Sequence, residues 1–139
     1  MCLETRQICP LKAKKDIVCY KLFLSHDSLD SMKTLYMDYY VKKPTEGCPT
    51  IMDDTNVPLR ISQYGCLHPL RRISSGMIHA YQTEIRALAD RFHTFKRHTY
   101  KCIIPKGTLY YVGVDGDICA KKMLIVEEVN PNTAGLSAV

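Results

Sequence analysis

The residues able to do chemistry cluster around one histidine, two arginines, a tyrosine pair and two lysines. His79 lies in Gly-Met-Ile-His-Ala-Tyr, residues 76–81, with Arg71 and Arg72 just upstream. A histidine where a strand enters a helix can contact a ribose or phosphate, or exchange a proton near neutral pH. It can equally be a core histidine bonded to backbone. Tyr110 and Tyr111 adjoin on a predicted strand and so face opposite sides, one toward the core and one toward a shallow basic site near Lys101 and Lys106. An exposed tyrosine beside lysines suits stacking on a nucleobase. The candidate ligand-binding set is therefore His79, Arg71, Arg72, Tyr110, Tyr111, Lys101 and Lys106, with no catalytic residue, cofactor or metal assigned.

Other reactive types carry weaker patterns. Cys2 would become an amino-terminal nucleophile if Met1 were removed, but no partner motif supplies an oriented base. Seven cysteines, an odd number, occur without an apolar leader, which reads as free thiols in a reducing, cytoplasmic setting. No Cys-x-x-Cys pair is present; Cys66 and His68 are the closest Cys/His spacing, short of a zinc set. Asp115 and Asp117 in Val-Asp-Gly-Asp read as turn residues. There is no Gly-rich phosphate loop, Ser/His/Asp pattern or metalloprotease motif.

The charge is unevenly spread. Nine Lys or Arg stand against two acids between Arg60 and Lys106, so that segment carries +7 within a chain of net +5. Such a segment either faces a phosphate-bearing or acidic partner or is a solvated surface. No apolar run approaches the roughly 18 residues that span a bilayer, so no membrane is expected.

The elements that must position these residues predict a single α+β domain over 1–129. Its mostly antiparallel sheet has about five strands, and one main helix packs on it. Residues 1–15 read as an irregular arm. Asp16–Leu24 reads as a central strand, with Val18, Tyr20 and Leu22 on one face and Ile17, Cys19, Lys21 and Phe23 on the other. A short helix or turn from Leu29 leads to a strand over 34–41. Residues 44–76, rich in Pro and Gly, form a long irregular excursion. Met77–Tyr81 is a strand entering a helix capped by Thr83, whose Ile85, Leu88, Ala89, Phe92 and Phe95 face the sheet. Strands follow at 99–104, 108–112 and 122–128, and 130–139 is a frayed tail.

The opening MCLETRQICPLKAKKDIVCYK, the GMIHAY strand and KCIIPKGTLYYVGVDGDICAKKMLIVEEV resemble an uncharacterised group of small proteins from gut Bacteroides-like bacteria and their phages. The resemblance covers about residues 1–24 and 76–129. Where that group typically reads Gly-Phe-His-Ala, this chain has Met77 and Ile78 in place of the aromatic, with His79 and Ala80 retained. The resemblance implies a phage or mobile-element origin and no particular activity. Small proteins of that origin often bind host macromolecules or sequester signalling nucleotides.

The expected function is a non-catalytic binding protein that captures a nucleotide-like ligand or a nucleic acid on a basic face, to counter host defence. Two alternatives stay open: an ADP-ribosyltransferase-like enzyme using His79 and a tyrosine, and an inhibitor that docks the 44–76 segment on an acidic host protein. Oligomeric state is undetermined by the sequence.

Overall fold

The computed structural model describes residues 3–25, 30–34, 40–63, 70–91 and 97–129. Within them lie β1 (Leu3–Thr5), β2 (Leu11–Lys12), β3 (Ile17–Ser25), β4 (Ser31–Thr34), β5 (Tyr40–Lys42), β6 (Thr50–Asp53), β7 (Arg60–Gln63), β8 (Arg71–Ser75) and β9 (Ile78–Tyr81). Then follow α1 (Glu84–Arg91), β10 (Arg97–Ile104), β11 (Leu109–Val112), β12 (Asp117–Ala120) and β13 (Lys122–Glu128). The expected α+β domain with one main helix is therefore corrected to a nearly all-β fold, a ten-stranded sheet with a three-stranded one. All strand pairs are antiparallel.

β3 is the spine, as its β-branched and aromatic run predicts. One edge pairs along its length with β10; the other pairs with β9 at Tyr20↔Tyr81 and with β4 beyond Phe23. β10 continues to β13 and β13 to β6. β5 pairs with β4 and lies against β6, where Thr50 Oγ1 donates to the Lys42 carbonyl at 2.6 Å. Six strands thus wrap round a core containing Cys19, Phe23, Met32, Val41, Met52, Tyr100, Cys102, Ile104, Met123 and Ile125. Phe23 and Tyr100 meet edge to face, with centroids 5.5 Å apart.

Lys21 is the polar exception on the inner face of β3. Its Nζ donates to the His79 carbonyl at 2.6 Å and lies 5.6 Å from the Phe23 centroid. Burial pushes its pKa down, and the neighbouring Cys102, Cys19 and Asp54 oppose that only in part.

The three-stranded sheet, in the order β1-β8-β7, covers the other face of β11 and β12. Leu3, Ile73, Met77, Tyr111 and Cys119 form this second core. The predicted irregular arm is thereby corrected: Leu3 and Thr5 are fully buried, Thr5 Oγ1 donates to the Val112 carbonyl at 2.7 Å, and Val112 N–H donates to Gln7 Oε1 at 2.6 Å. The 44–76 excursion holds β6, β7 and β8, because Pro44, Pro49 and Pro58 stand between strands and not within them. β4 replaces the short helix or turn expected from Leu29; Leu29 itself and most of the 34–41 strand lie outside the described residues. The predicted 130–139 tail also lies outside them.

The helix is short, and of its predicted stripe Ile85 does not face the sheet, while the side chains of Leu88 and Ala89 lie outside the described ones. Ala87 is fully buried against Leu22 and Tyr81, whereas Ile85 is 71% exposed. Phe92 and Phe95 lie outside the described residues. The predicted cap is present: Thr83 Oγ1 accepts from Arg86 N–H at 3.2 Å. Thr83→Ala is expected to lower stability by about 1 kcal/mol, read as a reduced urea midpoint at unchanged slope.

Candidate functional site

The predicted site residues separate into distinct neighbourhoods. Tyr111, Cys119 and His79 form one cross-strand row over β11, β12 and β9, facing the three-stranded sheet. Tyr111 is buried, with burial raising its phenol pKa and the nearby Arg71 charge opposing that rise. Arg71 donates from Nη1 to the Ile8 carbonyl at 2.8 Å and so fastens the amino-terminal segment. Arg72 is exposed on β8, where Glu4 is its cross-strand partner.

His79 is held as a neutral imidazole. Burial, with the Lys21 charge adding to it, pushes its pKa down to about 4. Both ring nitrogens are sealed from solvent and lack a hydrogen-bond partner among the described residues. A proton shuttle for a bound nucleotide needs a nitrogen within hydrogen-bond reach of that ligand. The sealed ring nitrogens and the buried Tyr111 therefore give no support to the nucleotide-using enzyme.

Lys101 lies elsewhere, on β10 between Tyr20 and Glu127 of the flanking strands. Tyr110 and Lys106 share another place, the end of the ten-stranded sheet where β2 joins β11. Tyr110 pairs with Leu11 and packs, half-buried, on the main core. Lys106 occupies the turn between β10 and β11, where its N–H donates to Asp16 Oδ1 at 2.8 Å.

This end gathers charge that the sequence keeps apart. Ala13 N–H donates to the Thr108 carbonyl at 2.9 Å, and Gly107 N–H donates to the Ala13 carbonyl at 2.8 Å. These bonds clamp the segment carrying Lys12, Lys14 and Lys15 beside the turn carrying Lys106. All four lysines are exposed, as are Leu11 and Leu109. Gly107 has φ +89°, which the tight turn requires and glycine supplies at least cost. A charge count over 60–106 misses three of the four lysines, since they belong to the arm read as irregular. The signal available was the run Lys-Ala-Lys-Lys itself.

Beyond Asp16 and Pro105 the outer sheet face continues as an aliphatic row. Val18, Ile103, Leu124 and Ile51 are direct neighbours on β3, β10, β13 and β6, and Val18 and Ile51 are 45% and 60% exposed. Among the described residues, the lysine end and this row are two surfaces with the chemistry of a partner site. Among the described residues, no three His, Cys, Asp or Glu gather as a metal cluster, and no helix is long and apolar enough to cross a membrane. Comparison of the chain with protein-family models, curated proteins and solved structures yields no match.

Proposed function

We propose that this is a non-catalytic binding protein that captures a phosphate-rich ligand, a nucleic acid in preference to a mononucleotide. The clamping of Lys12, Lys14, Lys15 and Lys106 into one exposed end carries this reading. Four ammonium groups on two surface segments, with no enclosing phosphate loop, suit an extended polyanion that each lysine meets as a point charge. Leu11 and Leu109 offer apolar contact between the charges, and Tyr110 stiffens the strand beneath them. The resemblance to small phage and gut-bacterial proteins supports a cytoplasmic setting in which such capture counters host defence.

The test is a binding titration of labelled single-stranded DNA and RNA at several salt concentrations. Four phosphate contacts give a slope of log K against log salt of about −3 on single strands. A slope near zero, or no binding at low salt, overturns the reading.

The aliphatic row favours a second reading, an acidic protein partner that covers Val18 and Ile51 while its rim meets the lysines. In that case a macromolecule co-purifies, and Ile51→Asp releases it while leaving oligonucleotide binding unchanged.

A further inference from the structure

We propose that Met77, His79 and Cys119 form a site for monovalent copper, Cu(I), between the ten-stranded and three-stranded sheets. Cys119 Sγ and Met77 Sδ lie 3.6 Å apart. Two sulfurs at that separation can each sit about 2.3 Å from one ion with an S–metal–S angle of roughly 100°. His79 is the direct cross-strand partner of Cys119, so their side chains leave the same face with Cβ atoms about 5 Å apart. The third donor is thus at hand.

An independent observation points the same way. Buried polar atoms are normally paired, and an orphan calls for an explanation such as an ion. Both ring nitrogens of His79 are buried and unpaired among the described residues. A metal on the lone-pair nitrogen would end the acceptor half of that deficit and leave only the N–H to be met.

Donor type and charge select the metal. Thiolate and thioether are soft ligands that favour Cu(I). One thiolate and one monovalent ion give a neutral complex, which a closed apolar site tolerates. Zinc with the same set would leave a buried unit charge, at a desolvation cost of several kcal/mol. The surroundings are apolar: Leu3, Ile73 and Tyr111 line the same core. Of the three donors, Met77 and Cys119 are sealed, and His79 is the residue that keeps contact with solvent. On binding, the Cys119 S–H bond breaks, the S–Cu bond forms and the proton leaves to solvent; no electron is transferred.

The experiment is an anaerobic competition of the full-length protein against the Cu(I) chelator bicinchoninate. Cys2→Ser, Cys9→Ser, Cys48→Ser and Cys66→Ser are introduced first, so that cysteines outside the described core contribute nothing. Methyl-labelled methionine reports the site directly, with the Met77 resonance identified by its loss in Met77→Leu. The expected result is one equivalent of Cu(I) and a shift of the Met77 methyl. Affinity should fall at least about tenfold in Met77→Leu, which keeps volume and apolarity, and in His79→Leu. Absence of Cu(I) retention, retention without movement of the Met77 methyl, or equal affinity in Met77→Leu each overturns the site.

Discussion

Raising the pH from about 9 to about 11 is expected to destabilise the metal-free protein in reductant by about 5 kcal/mol. Cys19 and Cys119 are pushed by burial from 9.0 to about 12, and Cys102 is pushed well above 9.0 by burial, with Cys19 adding to the rise. In the unfolded chain these thiols ionise near their ordinary value, while in the folded chain they stay protonated. The folded state then binds more protons, so stability falls as pH rises through that window. Lys21 acts in the opposite direction. Its lowered folded pKa means the unfolded state holds the extra proton between that value and 10.5, so stability rises there with pH.

Three thiols against one ammonium leave about two protons, or about 2.7 kcal/mol per pH unit. Over two pH units that is about a third or more of an ordinary domain stability of roughly 5–15 kcal/mol. Urea midpoints measured from pH 7.5 upward check this. The pair Cys19→Ala and Cys102→Ala should start less stable near neutrality, because each leaves a small cavity, and then hold a nearly flat profile. A wild-type midpoint that does not fall by pH 10.5 would show that the thiols are not enclosed as described.

Gly76→Ala is expected to lower stability by roughly 2–5 kcal/mol, from left-handed strain and overpacking together. Gly76 has φ +91°, and a Cβ there would stand 2.5 Å from the Pro58 carbonyl oxygen, 2.6 Å from Leu59 Cα and 2.8 Å from Leu59 N. These are backbone atoms, so relief requires the 57–60 segment to move. That segment leads into β7, and Gly76 directly precedes Met77 and His79. The damage should therefore reach the row that includes Cys119. Gly107→Ala is the matched control: φ is +89° but a Cβ would meet nothing within 4 Å. It should cost only the conformational share, about 1–2 kcal/mol. Equal midpoints for the two variants would mean that the close approach of Pro58 and Leu59 is absent.

Parts of the fold were legible because local pattern and tertiary context agree. Ile17–Leu24 alternates so that Cys19 and Phe23 enter the main core while Leu22 meets the helix, as the period of two implies. Thr83 was legible as a cap because its hydroxyl acts within one turn. Other elements depend on partners far along the chain. Leu3 is a strand residue only because Ile73 pairs with it, and three residues carry no period of their own. β12 was hidden because Asp117 follows Asp-Gly and was absorbed into the turn, leaving Ile-Cys-Ala too short to stand out. Ile85 misled the helix reading, since an apolar residue on a short surface helix can simply stay in water.

The candidate site shows the same division. Arg71 was singled out for phosphate but is occupied with the Ile8 carbonyl, a contact made only when the arm folds back. Lys106 was legible as a basic position. Its companions Lys12, Lys14 and Lys15 were not, because the bonds from Ala13 to Thr108 and Gly107 create the cluster. Lys21 was visible as the one charged residue in its strand, yet its carbonyl partner at His79 was not.

The central claim is that the lysine end, and not net charge, captures a phosphate-rich ligand. It is tested most directly by two variants of equal charge loss against one labelled single-stranded oligonucleotide at low salt. One carries Lys12→Gln, Lys14→Gln, Lys15→Gln and Lys106→Gln; the other carries Arg6→Gln, Lys42→Gln, Arg60→Gln and Arg86→Gln, all exposed and on other elements. The account predicts that the first loses most of the affinity and most of its salt dependence while the second stays within a few-fold of wild type. Equal losses in the two, or unchanged binding in the first, would contradict it.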